Sequence, residues 1–202
     1  MSIYREVLQE DFLRLHPMLQ KRYDFEEGAV FKATGEMTCI TGGPMWLYPF
    51  LKVGVRRKLV FPESGRNIPF TIVNSSFISV KGEQQIHWER KFNFPENTRY
   101  FNALMSLDQK RMVVKDYLGE PPVLYSDLQF TVSENGALKI NSLGQRLVLG
   151  KVEIPLPRFL QGLAVITESY DEVYAVYRIC VDVKNQLIGT VFSYEGVFTA
   201  DA

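Results

Sequence analysis

Between Glu172 and Phe198 the sequence reads EVYAVYRICVDV, then KNQ, then LIGTVFSYEGVF. Val, Ile, Tyr and Phe dominate both halves, and such side chains sit well on a pleated, half-buried surface. In the first half Val173, Ala175, Tyr177, Ile179, Val181 and Val183 share one face. Tyr174, Val176, Arg178, Cys180 and Asp182 share the other. Two long strands and a short turn therefore form an antiparallel hairpin. This constrains fold class firmly and chemistry hardly at all.

The same signature recurs along the chain. Strands are expected at Ala29–Ile40 and at about 69–80, 83–94, 98–107, 110–117, 123–132 and 137–149. Lys81-Gly82, Asp108-Gln109 and Glu134-Asn135-Gly136 supply turns between them. At the N-terminus Tyr4, Val7, Leu8, Phe12 and Leu15 recur at helical steps, with Ser2 as N-cap. Pro17 opens a second short helix, and His16 before it is read as a cap. In Pro44–Leu59, Trp46, Leu47, Phe50 and Leu51 have helical spacing, while Pro49 and Gly54 argue against one straight helix. A kinked helix across the sheet, ending at Arg56-Arg57-Lys58, is expected. Ile154–Leu163 is too rich in Pro for a central strand and suits one helical turn.

Nine or ten antiparallel strands must curl, close or split into two sheets to bury their apolar faces. The expected fold is α+β, mainly antiparallel β: a curved sheet or β-barrel-like body with N-terminal helices and one helix across the sheet. One domain, 1–202, is expected, with a helical segment at 1–25 and a β domain at 28–200 that carries a helical insertion at about 44–59.

Composition narrows the function classes. Lys plus Arg and Asp plus Glu both number 23, so a nucleic-acid partner, which calls for a basic excess, is not expected. Cys39 and Cys180 are the two cysteines, too far apart for a metal spacing, and Cys180 is read as a small buried hydrophobe. His16 and His87 alone cannot make a multi-histidine metal centre. The N-terminus lacks the apolar core of a signal peptide, and no run approaches the ~18 apolar residues of a membrane span. A cytoplasmic protein without metal or cofactor is expected. The basic, Trp-bearing segment 44–59 also fits contact with a membrane surface. G-x-S-x-G, H-E-x-x-H and Walker A sequences are absent, and Gly42-Gly43-Pro44 lacks the Lys-Ser/Thr of a phosphate loop.

Gln85–Phe92 carries the sharpest candidate. Ile86, Trp88, Arg90 and Phe92 share one strand face, and His87, Glu89 and Lys91 form the polar other face. A guanidinium among large apolar residues needs a carboxylate or a ligand anion, because an unpaired buried charge costs several kcal/mol. Asp182 and Glu195 are the candidate carboxylates; otherwise Arg90 anchors the polar head of a ligand. Tyr194-Glu195-Gly196 is the second candidate, since Gly within a strand marks a bulge or a close backbone approach. Glu195 is an acid or base if its face points inward. Lys115 is a candidate amine nucleophile, with pairing to Asp116 or Glu120 as the plainer alternative.

These segments carry a resemblance. The chain resembles the bacterial domain of unknown function 4166 family along nearly its whole length, through IYREVLQEDFLRLHPML, HWERKF, PLPRFL and LIGTVFSYEGVF. The family's Trp-x-Arg-x-Phe falls on Trp88, Arg90 and Phe92, and its Tyr-x-Gly on Tyr194 and Gly196. The resemblance implies no established activity. Some members join a dinucleotide-type dehydrogenase module or membrane segments, and an accessory or ligand-sensing domain fits both contexts.

The leading expectation is a domain that binds a small apolar or amphiphilic molecule in its interior. Arg90 would anchor the polar end, and Trp88, Phe92, Tyr194 and Phe198 would line the rest. The alternatives are a partner-binding module with a packed core, and a barrel enzyme of decarboxylase or cyclase type using Glu195 or Lys115.

Overall fold

The computed structural model describes residues 2–201, with every side chain among them except that of Phe50. These residues form one antiparallel sheet: β1 (Val30–Gly42), β2 (Ile68–Ile78), β3 (Gln84–Asn93), β4 (Thr98–Tyr100), β5 (Ala103–Asp108), β6 (Val113–Leu118), β7 (Leu124–Val132), β8 (Leu138–Leu149), β9 (Val152–Pro155), β10 (Leu163–Asp171), β11 (Val176–Asn185) and β12 (Gly189–Ala200). The neighbours run β10-β11-β12-β1-β2-β3-β5-β6-β7-β8, and β8 pairs back onto β10. Ten strands thus close a barrel, which leaves no open edge. β4 adds to β3 beyond β5, and β9 hangs on β8 outside the closed ring. Of the two expected shapes, curved sheet or barrel, the chain adopts the barrel.

Alternation decides which side chains face inward. On β11, Tyr177, Ile179, Val181 and Val183 are buried, while Arg178, Cys180 and Lys184 are exposed. Cys180 is therefore not the buried hydrophobe expected of it; strand parity turns it to the outer face. The strand also starts later than expected, at Val176. Asp171 Oδ1 accepts from the backbone N–H of Val173 (3.0 Å) and Tyr174 (3.1 Å), so residues 172–175 form a turn. At Gly196 an added Cβ would lie 2.2 Å from the carbonyl oxygen of Glu36, so only glycine lets β12 pass β1 at this point.

Antiparallel order sorts the connections onto two rims. The lower rim holds the N-terminal helices α1 (Ile3–Leu8) and α2 (Pro17–Tyr23), joined by a 3-10 turn over Gln9–Arg14. The Oγ of Ser2 accepts from Tyr4 N–H and donates to the carbonyl of Tyr23 at 2.6 Å, fastening the start of α1 to the end of α2. His16 Nδ1 caps α2 by accepting from Met18 N–H at 3.2 Å. Tyr4, Phe12, Leu19 and Tyr23 are buried against the barrel and plug this mouth. The upper rim holds the long β1–β2 connection, the β8–β10 connection and the β11–β12 loop. In the first of these, the single kinked helix expected over 44–59 is a 3-10 turn, Met45–Leu47, followed by α3 (Tyr48–Arg56). Pro49 lies in the first turn of α3 and opens the helix instead of kinking it. Between β9 and β10, Arg158–Leu160 forms the expected single turn of helix, of 3-10 type.

Candidate functional site

Two arginines enter the barrel. Arg22, at the end of α2, reaches into the lower half with its side chain fully buried. Its Nε donates to Glu168 Oε1 and its Nη2 to Glu168 Oε2 (3.3 Å), while Nη1 donates to Asn74 Oδ1 (3.3 Å). Tyr23 adds a hydroxyl to Glu168 at 2.9 Å. Phe31 and Phe198 place their rings 4.4 and 5.0 Å from the guanidinium carbon. Every charge here has its partner, as a buried ion pair requires.

Arg90, on β3, sits higher. It is 5% exposed, donates through Nε to the Phe101 carbonyl (2.8 Å) and through Nη1 to Tyr194 Oη (3.4 Å), and lies 4.1 Å from the Phe101 ring centroid. Among the described residues its Nη2 has no hydrogen-bond partner and no carboxylate reaches ion-pair distance. Neither expected partner is there. Asp182 faces outward and pairs with Lys184, and Glu195 is exposed.

The carboxylate that does feel Arg90 is Asp116 of β6, 6% exposed. Burial pushes its carboxyl up to about 7, and the nearby guanidinium offsets only part of that. Its Oδ1 has no hydrogen-bond partner, nor does the buried hydroxyl of Ser126, its cross-strand neighbour on β7. A bulge in β7 at Asp127 helps turn both Ser126 and Leu128 inward.

Arg90, Asp116 and Ser126 all line one cavity of about 200 Å³ in the upper half of the barrel. The rest of its wall is mostly aliphatic, with Met105, Leu128, Ile166 and Val181 among it, and Phe101 and Phe192 supply rings. Leu51 of α3 and Leu156 and Leu160 of the β8–β10 connection line its top. The cavity lies along the seam where β8 and β10 part. Their ladder spans only Val165–Glu168 against Leu138–Asn141. Above it Ser142 Oγ accepts from Ala164 N–H (2.6 Å), and Gln145 exchanges two 2.8 Å hydrogen bonds with the backbone of Gly162. Side chains stand in for the missing rungs, and their bulk holds the strands apart.

Of the five residues expected to bind a ligand, Arg90 alone lines this cavity. Trp88, Phe92, Tyr194 and Phe198 all point inward but are packed into the core. Trp88 donates from its indole to Tyr4 Oη at 2.9 Å, Phe92 stacks among Phe61, Phe70 and Tyr194, and Phe198 stacks on Tyr177. This placement has a simple cause: rings this large fill the barrel where they meet, and space remains where aliphatic and small polar residues face one another. Lys115 and Glu195, expected as candidates for chemistry inside the barrel, are both on the outside. Lys115 pairs with Glu83 at 3.4 Å, not with Asp116 or Glu120. Glu120 instead holds Lys58 and His87 on the outer surface. Sequence reasoning weighed Asp116 only as a partner for Lys115. The signal was present, because Asp116 alternates with Val114 and Leu118 on the apolar face of a strand.

A family model for a domain of unknown function, DUF4166, matches residues 15–198. The uncharacterized protein YndH of Bacillus subtilis (strain 168) is 39% identical over 197 residues, covering 98% of this chain and 96% of that protein. No solved structure matches the chain. Among the described residues no helix is long and apolar enough to cross a membrane.

Proposed function

The chain belongs to the DUF4166 family, and from that premise we propose that it binds a small amphiphilic molecule in the upper cavity, with an acidic head held by Arg90, Asp116 and Ser126. One observation carries this reading. Among the described residues Asp116 Oδ1 and Ser126 Oγ are buried without a hydrogen-bond partner, Arg90 leaves its Nη2 unpaired, and all three residues line the same mostly apolar cavity. Buried polar groups are almost always satisfied, so such a cluster suits a ligand that completes it.

The chemistry of the cluster selects the head. Arg90 offers a free N–H and a positive charge. Asp116, with its carboxyl near 7, is protonated on the acid side of neutrality and then donates a hydrogen bond through its O–H. Ser126 adds a hydroxyl. Three donors on the wall of one cavity suit a carboxylate or a similar acid head. The cavity exceeds the ~150 Å³ that accepts a benzene ring, so the tail is short, of roughly eight to ten heavy atoms with the head.

A native mass spectrum of the gently purified protein, set against its denatured mass, tests the reading. A discrete excess mass that vanishes on denaturation is expected, and Arg90→Ala should lose it while remaining folded. Retention of the same mass by folded Arg90→Ala would remove Arg90 as the anchor. An acid–base reaction inside the same cavity is the second reading, favoured by a carboxyl near neutrality beside a cation. It would run through Asp116, not through Glu195 or Lys115.

A further inference from the structure

The cavity opens through a rim that is both apolar and cationic. Leu160 lines the cavity and is nevertheless 58% exposed, which sets the opening beside the Arg158–Leu160 turn. Around it Met45, Trp46 and Val53 of the β1–β2 connection, Phe159 of the turn and Leu187 of the β11–β12 loop are all exposed. The three segments are tied together. Asn185 Nδ2 donates to the carbonyls of Phe159 (2.8 Å) and Gln161 (2.7 Å), and the backbone at Gly43 packs against that of Val191.

The free charge of the three segments around the opening is positive. Lys52, Arg56, Arg57 and Arg158 are exposed, and none has a carboxylate partner among the described residues. No Asp or Glu occurs from Met37 to Pro62, from Ile154 to Thr167, or from Val183 to Tyr194. Glu63, Glu120 and Glu153 of the upper connections are occupied by Arg99, Lys58 and Arg146, and Glu96 stands exposed in the turn after β3. Tyr48, Lys52 and Arg56 form one stripe on α3, with the Lys52 ammonium 4.8 Å from the Tyr48 ring centroid, while Leu51 faces the cavity.

Aromatic and aliphatic side chains flanked by free cations are complementary to an anionic headgroup layer over acyl chains. We propose that this rim docks on the surface of an anionic lipid bilayer, so that the cavity exchanges its amphiphile directly with the membrane. The docking stands on the rim alone; only the identity of what passes rests on the ligand-binding reading.

Co-sedimentation of the full chain with vesicles tests it, using phosphatidylcholine alone and phosphatidylcholine mixed with phosphatidylglycerol. Binding to the mixed vesicles, weakened by added salt, is expected. Each basic residue near the surface is worth roughly fivefold in partitioning, so Lys52→Glu combined with Arg158→Glu should lower it more than about tenfold. Trp46→Asp combined with Phe159→Asp should abolish it. Both double variants change exposed residues and should keep the wild-type melting temperature and the wild-type binding of octanoate from solution. Folded wild-type protein that ignores both vesicles, or double variants that bind like wild type, would overturn the docking. A wild-type dimer that the Trp46→Asp, Phe159→Asp variant splits would also overturn it, by assigning the rim to a second copy. Octanoate binding, read in parallel, fails on its own if the cavity reading is the one in error.

Discussion

Arg22 and Arg90 are buried in the same barrel under opposite conditions. Arg22 meets a carboxylate, an amide oxygen and a ring of aromatic faces, and its charge is fully paired. Arg90 keeps an unused N–H, and the carboxylate it feels is one that burial drives toward its neutral form. The lower pair closes the barrel against the N-terminal helices. Arg90 and Asp116 line one cavity without forming an ion pair. A paired and hydrogen-bonded buried charge is structure, whereas a divided pair on the wall of an apolar cavity is a place for something else to bind.

The largest effect that separates the two should come from Glu168→Ala. It strands the Arg22 charge in the core and should cost about 3–5 kcal/mol in urea unfolding. A loss under about 1 kcal/mol would mean that the aromatic faces alone sustain Arg22.

Asp116→Asn should act with the opposite sign. The folded carboxyl at about 7 lies above its reference value of 3.8, so the folded state binds the proton more tightly than the unfolded chain. The stability this carboxyl contributes is complete below about pH 4 and is lost as pH rises through about 7. Asparagine resembles the protonated form at every pH. The variant should match wild type below about pH 4, pull ahead as pH rises, and exceed it at pH 8 by up to a few kcal/mol at about 1.4 kcal/mol per pKa unit. Parallel pH–stability curves for the two proteins would contradict the burial of an unsatisfied carboxyl.

The smallest contrast lies in two serines. Ser2→Ala removes an N-cap and a bond to Tyr23 and should cost about 1 kcal/mol. Ser126→Ala removes a hydroxyl with no protein partner and should be neutral or stabilising by about 1 kcal/mol. Equal losses at the two positions would erase the distinction between a bonded and an unbonded buried hydroxyl.

The barrel was legible in the chain because period-two alternation, turn residues and the lack of long helical runs all pointed the same way. The inward face of β3 was legible for the same reason, since Arg90 stands between Trp88 and Phe92. Which inward residues meet a cavity was not. Trp88 and Phe198 have the same pattern as true lining residues, and only closure of the ring shows that they pack against α2 and β11. Arg22 gave no signal, because a cation in the last turn of a short helix is ordinary at a solvated end. Asp116 could have been found by asking what a carboxylate does on an apolar strand face. Glu195 and Lys115 looked promising because parity cannot orient a strand with apolar groups on both faces.

The most direct measurement is calorimetric titration of octanoate into ligand-stripped protein across neutral pH. One-to-one binding with a negative heat-capacity change is the result the cavity predicts. Affinity should fall as pH rises through about 7, because ionised Asp116 then repels the acid head. Asp116→Asn should remove that pH dependence, and Arg90→Ala should weaken binding at every pH. Absence of binding, or binding that Arg90→Ala and Asp116→Asn leave unaltered, would contradict the claim that the divided pair holds a ligand's head.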